Sequence, residues 1–213
     1  MYQRGPDKME GYEIAGGDHF VKLCPIWQLL LYYSYCKNGS WHKPDWYADI
    51  CEITRNTDFS NKSNGEFQLI FMKNVCDVVK QDLTDFFAKA GMLREIDRKM
   101  DDYGDFDHKI TQAQCNELIA YASKYPKPDT PVLNYISANS LAAFDRKLSV
   151  EGNYGQGVGI SPGAEYCTID HRIWRNVAVF ETYSNNELTK IAMYGTNSAD
   201  NSSTLVRYPA GST

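Results

Sequence analysis

The chain has 213 residues, 43% of them hydrophobic and 13% aromatic, with 15 Tyr and 4 Trp. That is enough to bury a real core in one large domain or two modest ones, and the aromatic load suits both large buried contacts and stacking faces for sugars or peptides. A net charge of −5, with no run of five or more basic residues, argues against a nucleic-acid footprint, which needs a clustered basic surface.

Residues 1–19 are polar and Gly-rich and predict an irregular lead-in. The stretch Phe20–Cys36, FVKLCPIWQLLLYYSYC, is interrupted only by Lys22, Pro25, Gln28 and Ser34. Its apolar residues do not keep to one face, so the spacing predicts a central helix covered nearly all round. It is too short and too interrupted for a membrane span of about 20 apolar residues. Pro25 fits the first turn of that helix, with Phe20–Leu23 leading in extended; the alternative is one helix from Asp18, kinked at Pro25. Gln28, an amide between Trp27 and Leu29, needs hydrogen-bond partners if buried, either in the core or on the wall of a solvated pocket.

Lys37–Ser40 is a stop, with Gly39 suited to a left-handed C-cap. Pro44-Asp45 opens a second helix through about Arg55, residues 56–64 form a loop, and a third helix runs from Glu66 to about Lys80. A fourth spans Asp82–Ala90, with Leu83, Phe86, Phe87 and Ala90 on one face and Gly91 as its stop. Residues 92–110 predict irregular structure or a short hairpin. Thr111 N-caps a fifth helix, ended by Pro126 and Pro128.

From about Asn134 the texture changes to short β-branched or alternating runs between Ser/Asn/Gly links. Strands are predicted at Lys147–Val150, Val158–Ile160, Asn176–Thr182, Leu188–Tyr194 and Leu205–Tyr208, with Ser184-Asn185-Asn186 turning a hairpin. The fold class is therefore α+β: an N-terminal helical bundle subdomain over 1–130, then a small antiparallel β module over 131–213. The chain stops directly after a strand, which leaves a sheet edge unpaired and makes the sequence look like a cut piece.

Candidate chemistry is sparse. The six cysteines include no CxxC and no zinc-finger spacing, and Cys36, Cys51, Cys76 and Cys115 fall in segments read as helical. They read as buried free thiols, with one or two disulfides left open. The histidines are His19, His42, His108 and His171, without HExxH. Asp107-His108 and Asp170-His171 place carboxylate beside imidazole, but sequence neighbours point differently in helix and strand, so surface histidines are expected. Gly155–Gly159 is glycine-rich with no helix after it and reads as a turn. The acidic run Asp101–Asp107 lacks an EF-hand's closing Glu and reads as a solvated loop.

The ordered succession FVKLCPIWQLLLYYSY, PDWYADICEITR, FMKNVCDVVKQDLTDFFAKAGML, DDYG and VAVFETYSNNELTKIAMYG…VRYPAGST resembles the enhancin-like mucin metallopeptidase family over about residues 18–213. The resemblance implies a secreted or cell-surface zinc protease acting on mucins or other O-glycosylated proteins. It places that family's zinc ligands N-terminal to the PxWQLxLY helix, so no metal ligand carries over to this chain, and zinc is expected only in the full-length enzyme. What carries over is a helical wall of the substrate cleft, with Trp27, Gln28, Tyr32 and Asp102 as candidate substrate-binding residues and Tyr103 as a weak candidate oxyanion donor. The implied partners are a glycoprotein or mucin substrate and the missing N-terminal part of its own domain, with neither nucleic acid nor a membrane span. The competing expectation is a non-catalytic glycoprotein- or carbohydrate-binding protein on the same scaffold, using exposed residues such as Trp41 and Trp174.

Overall fold

A computed structural model describes residues 19–101, 105–195 and 198–207. The order is α1 (His19–Leu30), a π-helical turn (Leu31–Tyr35), α2 (Trp46–Arg55), α3 (Asn64–Val79), α4 (Thr84–Lys89), the hairpin β1 (Ile96–Asp101) and β2 (Asp105–Ile110), and α5 (Gln112–Ala122). A 3-10 turn (Pro131–Asn134) and α6 (Ala138–Asp145) follow, then β3 (Ile160–Pro162), β4 (Tyr166–Asp170), β5 (Val179–Ser184), β6 (Glu187–Met193) and β7 (Ser203–Arg207). The class is α+β, with small antiparallel sheets. Among the described residues no helix is long and apolar enough to cross a membrane.

The central apolar run is helical from His19 and Pro25 lies inside the helix, so the extended lead-in is corrected in favour of the single longer helix. The apolar excess tolerates the i→i−4 bond that proline forfeits, because burial against the core outweighs one lost ladder bond. The helix then widens into π geometry, closed by the Cys36 N–H donating to the Leu31 carbonyl at 2.9 Å, which leaves Cys36 just outside it in extended conformation. Gly39 is not left-handed. Its role is close approach: a Cβ there would stand 2.3 Å from the Trp41 indole.

The main core joins Leu29, Tyr32 and Tyr33 to Trp46, Met72, Val75, Phe87, Ile110 and Leu133. Reciprocal caps fix three helix starts: Ser63 with Glu66 on α3, Thr111 with Gln114 on α5, and Ser137 with Ser140 on α6. Such caps contribute about 1 kcal/mol each. The 92–110 segment takes the hairpin form, in register from Ile96↔Ile110 to Asp101↔Asp105.

At the ends of α3 and α5, the Asp77 carboxylate accepts from the Tyr121 and Tyr125 hydroxyls at 2.8 Å each and from Lys73 at 2.8 Å. Burial alone would raise this carboxyl, but those donors outweigh it and bring it from 3.8 down to about 2. A folded value below the unfolded one means that the cluster adds stability above pH 3.8, lost as the pH falls toward 2. Tyr121→Phe with Tyr125→Phe is expected to flatten that acid limb, measured as urea midpoints from about pH 5 to about pH 2.

In the second half, Asn185 and Asn186 both have positive φ, 51° and 64°, and turn the β5–β6 hairpin as expected. Lys147–Val150 is not a strand; only a single bridge forms beside it, Glu151 to Arg175. The strand expected at Val158 begins at Ile160, because Gly157 and Gly159 are left-handed at 64° and 74°. The 3-10 turn, α6 and β4 went unpredicted, and β4 is the middle strand of the β3-β4-β7 sheet.

All six cysteines are free. Cys36, Cys76, Cys115 and Cys167 are buried and Cys51 is exposed. Burial first, and then the Asp145 carboxylate 3.3 Å away, push the Cys36 thiol up to about 11, which keeps it protonated and inert.

Candidate functional site

The sequence around α1 sets two opposed demands. Leu29, Tyr32 and Tyr33 point into the core and are closed to solvent, whereas Leu23, Trp27 and Tyr35 are each about half exposed. Trp27 and Tyr35 lie with ring centroids 6.4 Å apart. Leu23 and Trp27, one turn apart on α1, leave an apolar strip in view, which marks a contact surface more than a single exposed side chain would.

Beside Trp27 opens an apolar groove of about 340 Å³, walled by Leu23, Cys24 and Gln28 from α1, Ile136 and Ser137 from the chain before α6, and Met193 from the end of β6. Its floor is continuous with the small core around Ile191, in which Cys24, Tyr135, Leu188 and Met193 pack. Gln28 is 3% exposed and its Nε2 donates to the Asn134 carbonyl at 2.8 Å. The amide thus pins α1 to the 3-10 turn and fixes the spacing of the groove's two sides. It is at once a satisfied buried amide and part of a pocket wall.

Tyr32 corrects the expectation that it offers a face to substrate. It is 0% exposed, stacked on Trp41 with centroids 4.8 Å apart, and its hydroxyl has no hydrogen-bond partner among the described residues. Burial, with the charge of Asp129 next, moves its ionisation far above the ordinary tyrosine value, so it stays neutral. Trp41 donates from Nε1 to the Tyr32 carbonyl at 3.1 Å and Trp174 to the Val158 carbonyl at 2.9 Å, so both indoles are tied into the fold. Asp102 and Tyr103 lie outside the described residues.

The surface-histidine expectation is also overturned: His108 is 4% and His171 7% exposed. Alternation along β2 turns His108 inward and Asp107 outward. Both ring nitrogens of His171 are committed, Nδ1 to the Trp174 carbonyl at 2.9 Å and Nε2 to Thr204 Oγ1 at 2.7 Å. Among the described residues no three His, Cys, Asp or Glu side chains converge as metal ligands.

Sequence reasoning found Trp27 and Gln28 but not Leu23, Tyr35, Ile136, Ser137 or Met193. The i, i+4 spacing of Leu23 and Trp27 was the available signal on α1. Nothing local marks Ile136 or Met193, which reach the groove only through the tertiary fold.

Residues 3–91 match the family model described as Peptidase M60, enhancin and enhancin-like. No curated protein sequence matches the chain. Among solved structures, a metallopeptidase in complex with Tn antigen aligns at 18% identity and TM-score 0.57, over 88% of this chain and 35% of that one. A metallopeptidase from Bacteroides thetaiotaomicron aligns at 18% and 0.57, over 89% and 33%. The ZmpB metallopeptidase from Clostridium perfringens aligns at 20% and 0.51, over 96% and 34%. The chain spans about a third of the length of these structures, and at these identities the likeness is one of fold.

Proposed function

We propose that this chain, whose residues 3–91 carry the M60 enhancin-like match, forms the helical and β part of such a metallopeptidase and supplies one wall of its substrate cleft. The substrate on this reading is a mucin-type O-glycosylated protein, met outside the cell or at its surface. The observation that supports the reading is Trp27, half exposed at the rim of the apolar groove, one turn from the equally exposed Leu23 on the same helix. An indole face there stacks on a sugar ring or a peptide side chain, and the groove beside it takes an apolar residue of the peptide. The glycan part draws support from the similar metallopeptidase fold seen with Tn antigen.

No step of peptide hydrolysis is assigned to this chain. The wall binds and orients. The test is fluorescence binding of a peptide carrying a single O-linked N-acetylgalactosamine. Trp27→Ala is expected to weaken binding about tenfold while the thermal midpoint is held, since surface substitutions cost within about 0.5 kcal/mol. Equal affinity of the two proteins would sink the cleft-wall role. In a parallel assay with glycosylated mucin and added zinc, no chelator-sensitive turnover by the chain alone is expected, and robust turnover would overturn the wall-only assignment.

A further inference from the structure

The sheet β3-β4-β7 ends in two edges that differ in what they offer a neighbour. The Asp170 N–H donates to the Gly159 carbonyl and the Gly163 N–H to the Tyr166 carbonyl, each at 2.8 Å, so alternation turns the backbones of Ile160 and Pro162 outward from β3. Pro162 has no N–H, and the Ile160 N–H already donates to the Gly157 carbonyl at 3.1 Å. Strand β3 therefore offers no donor. At the other edge, the His171 N–H donates to the Ser202 carbonyl at 3.0 Å, which sets the β4–β7 ladder so that the N–H and C=O groups of Ser203 and Leu205 point away from β4. Those backbone groups have no partner among the described residues. They repeat at about 6.8 Å, the spacing of alternate residues in an antiparallel strand, and so match another extended backbone.

The remaining strands are guarded. β1 is charged at Asp97, Arg98, Lys99 and Asp101, and β2 runs against α3 at Gly65. β5 carries Glu181 and a register shift between Thr182 and Tyr183, whereas β6 is covered where Ile191 packs with Cys24 and Tyr135. β7, STLVR, pairs without a shift and has neither a proline nor a charge before Arg207.

We propose that the outer edge of β7 pairs with the same edge of a second copy of this chain, antiparallel about a two-fold axis at Leu205. The strand is complementary to itself in that register. Each Leu205 exchanges both backbone bonds with its counterpart, and Ser203 stands opposite Arg207 of the second copy, so like charges do not meet. Thr204 and Val206 point into the core, 0% and 6% exposed, which leaves the half-buried Leu205 on the other face. The two leucines then meet across the axis and cover each other. Because the β3 edge lacks a donor, the sheet closes at two copies and does not run on as a fibre. A five-residue strand buries little area, so the dimer is a weak one, with a dissociation constant of about 100 µM. The pairing uses no residue of the Trp27 groove and does not rest on the cleft-wall reading.

The test is sedimentation equilibrium of the whole chain from about 10 µM to about 1 mM, with amide hydrogen exchange read at both ends of that range. A reversible dimer is expected, and exchange at the Leu205 N–H is expected to slow as it forms. The Thr204 and Val206 amides, bonded to β4, serve as controls that are slow throughout. Leu205→Lys sets two ammonium groups against each other across the axis and is expected to weaken the dimer about tenfold. Mixing it with Leu205→Glu is expected to restore the dimer, because opposite charges then face each other. Should either variant lose its fold, exchange at Leu205 in the parent still decides. Trp27→Ala is expected to leave the dimer unchanged, so this pairing and the cleft-wall role fail separately. A monomer over the whole range, slow Leu205 exchange in a monomer whose own chain covers the edge, a dimer indifferent to Leu205→Lys, or a folded mixture that stays monomeric would each overturn the proposal.

Discussion

Gly65→Ala is expected to lower the thermal midpoint by roughly 6–12 °C, read by differential scanning calorimetry, from a cost of about 3 kcal/mol at about 2–4 °C per kcal/mol. Gly65 is the second residue of α3 and is buried. A Cβ built there would stand 1.8 Å from the Lys109 carbonyl oxygen and 2.7 Å from its carbon. The obstacle is backbone, so no side-chain rotation relieves it. Lys109 is also constrained, by the β1–β2 pairing on one side and by the Thr111 cap of α5 two residues on. On the other side the Ser63–Glu66 capping box holds the start of α3. Moving either partner disturbs a helix start or a hairpin register. A midpoint within about 2 °C of the parent would show that α3 and β2 slide apart freely, contrary to this packing.

His171→Ala is expected to cost about 3 kcal/mol and to remove hydrogen-exchange protection from the β4 and β7 amides before those of α3 and α5. The imidazole lies at a 17° tilt on Tyr194, centroids 3.8 Å apart, with Phe180 at 5.8 Å. Because the Trp174 carbonyl only accepts, Nδ1 carries the proton and Nε2 accepts from the Thr204 hydroxyl, whose oxygen in turn accepts from the Gly195 N–H at 2.8 Å. One ring therefore joins the turn after β4, the turn after β6 and the start of β7. His171→Phe restores the stack but leaves the fully buried Thr204 hydroxyl and the Trp174 carbonyl without their partner. Unpaired buried polar groups cost about 1–3 kcal/mol, so the phenyl variant is expected to recover only part of the loss. Full recovery by phenylalanine would mean that the ring acts by packing alone.

The helical part was legible because its signals are local. Leu83, Phe86, Phe87 and Ala90 mark one face of α4, and Thr111 states the start of α5, to which the structure adds the reciprocal bond from Gln114. The hairpin β5–β6 was equally legible, since paired asparagines tolerate the left-handed conformations that its turn requires. Helix α6 was missed because Ser137-Ala138-Asn139-Ser140 has the texture of a loop. Its reciprocal Ser137–Ser140 cap, and Phe144 packed against the main core, are what make it a helix. Strand β4 was missed because five residues with only Cys167 and Ile169 turned inward form too short a pattern to stand alone.

The Trp27 site divides in the same way. The sequence placed Trp27 and Gln28 on one helix beside Leu29, and the structure keeps them there with opposite exposures. It also grouped Tyr32 with them, and there local reasoning failed. A tyrosine on a helix apolar all round has no intrinsic preference for solvent or core, and the indole of Trp41 decides the matter by covering it.

Local order along the chain settles where α2, α3, α4 and α5 lie, because caps, glycines and apolar spacing act within a few residues. It also settles that the central helix must be largely buried, since no other placement hides so many apolar side chains. Which of those side chains stay in view is a property of the folded whole. Ile136 and Met193 meet Trp27 only after the 3-10 turn has been pinned by Gln28 and the β5–β6 hairpin has packed against α1. A groove is the space left between surfaces, and its shape exists only once both surfaces are in place.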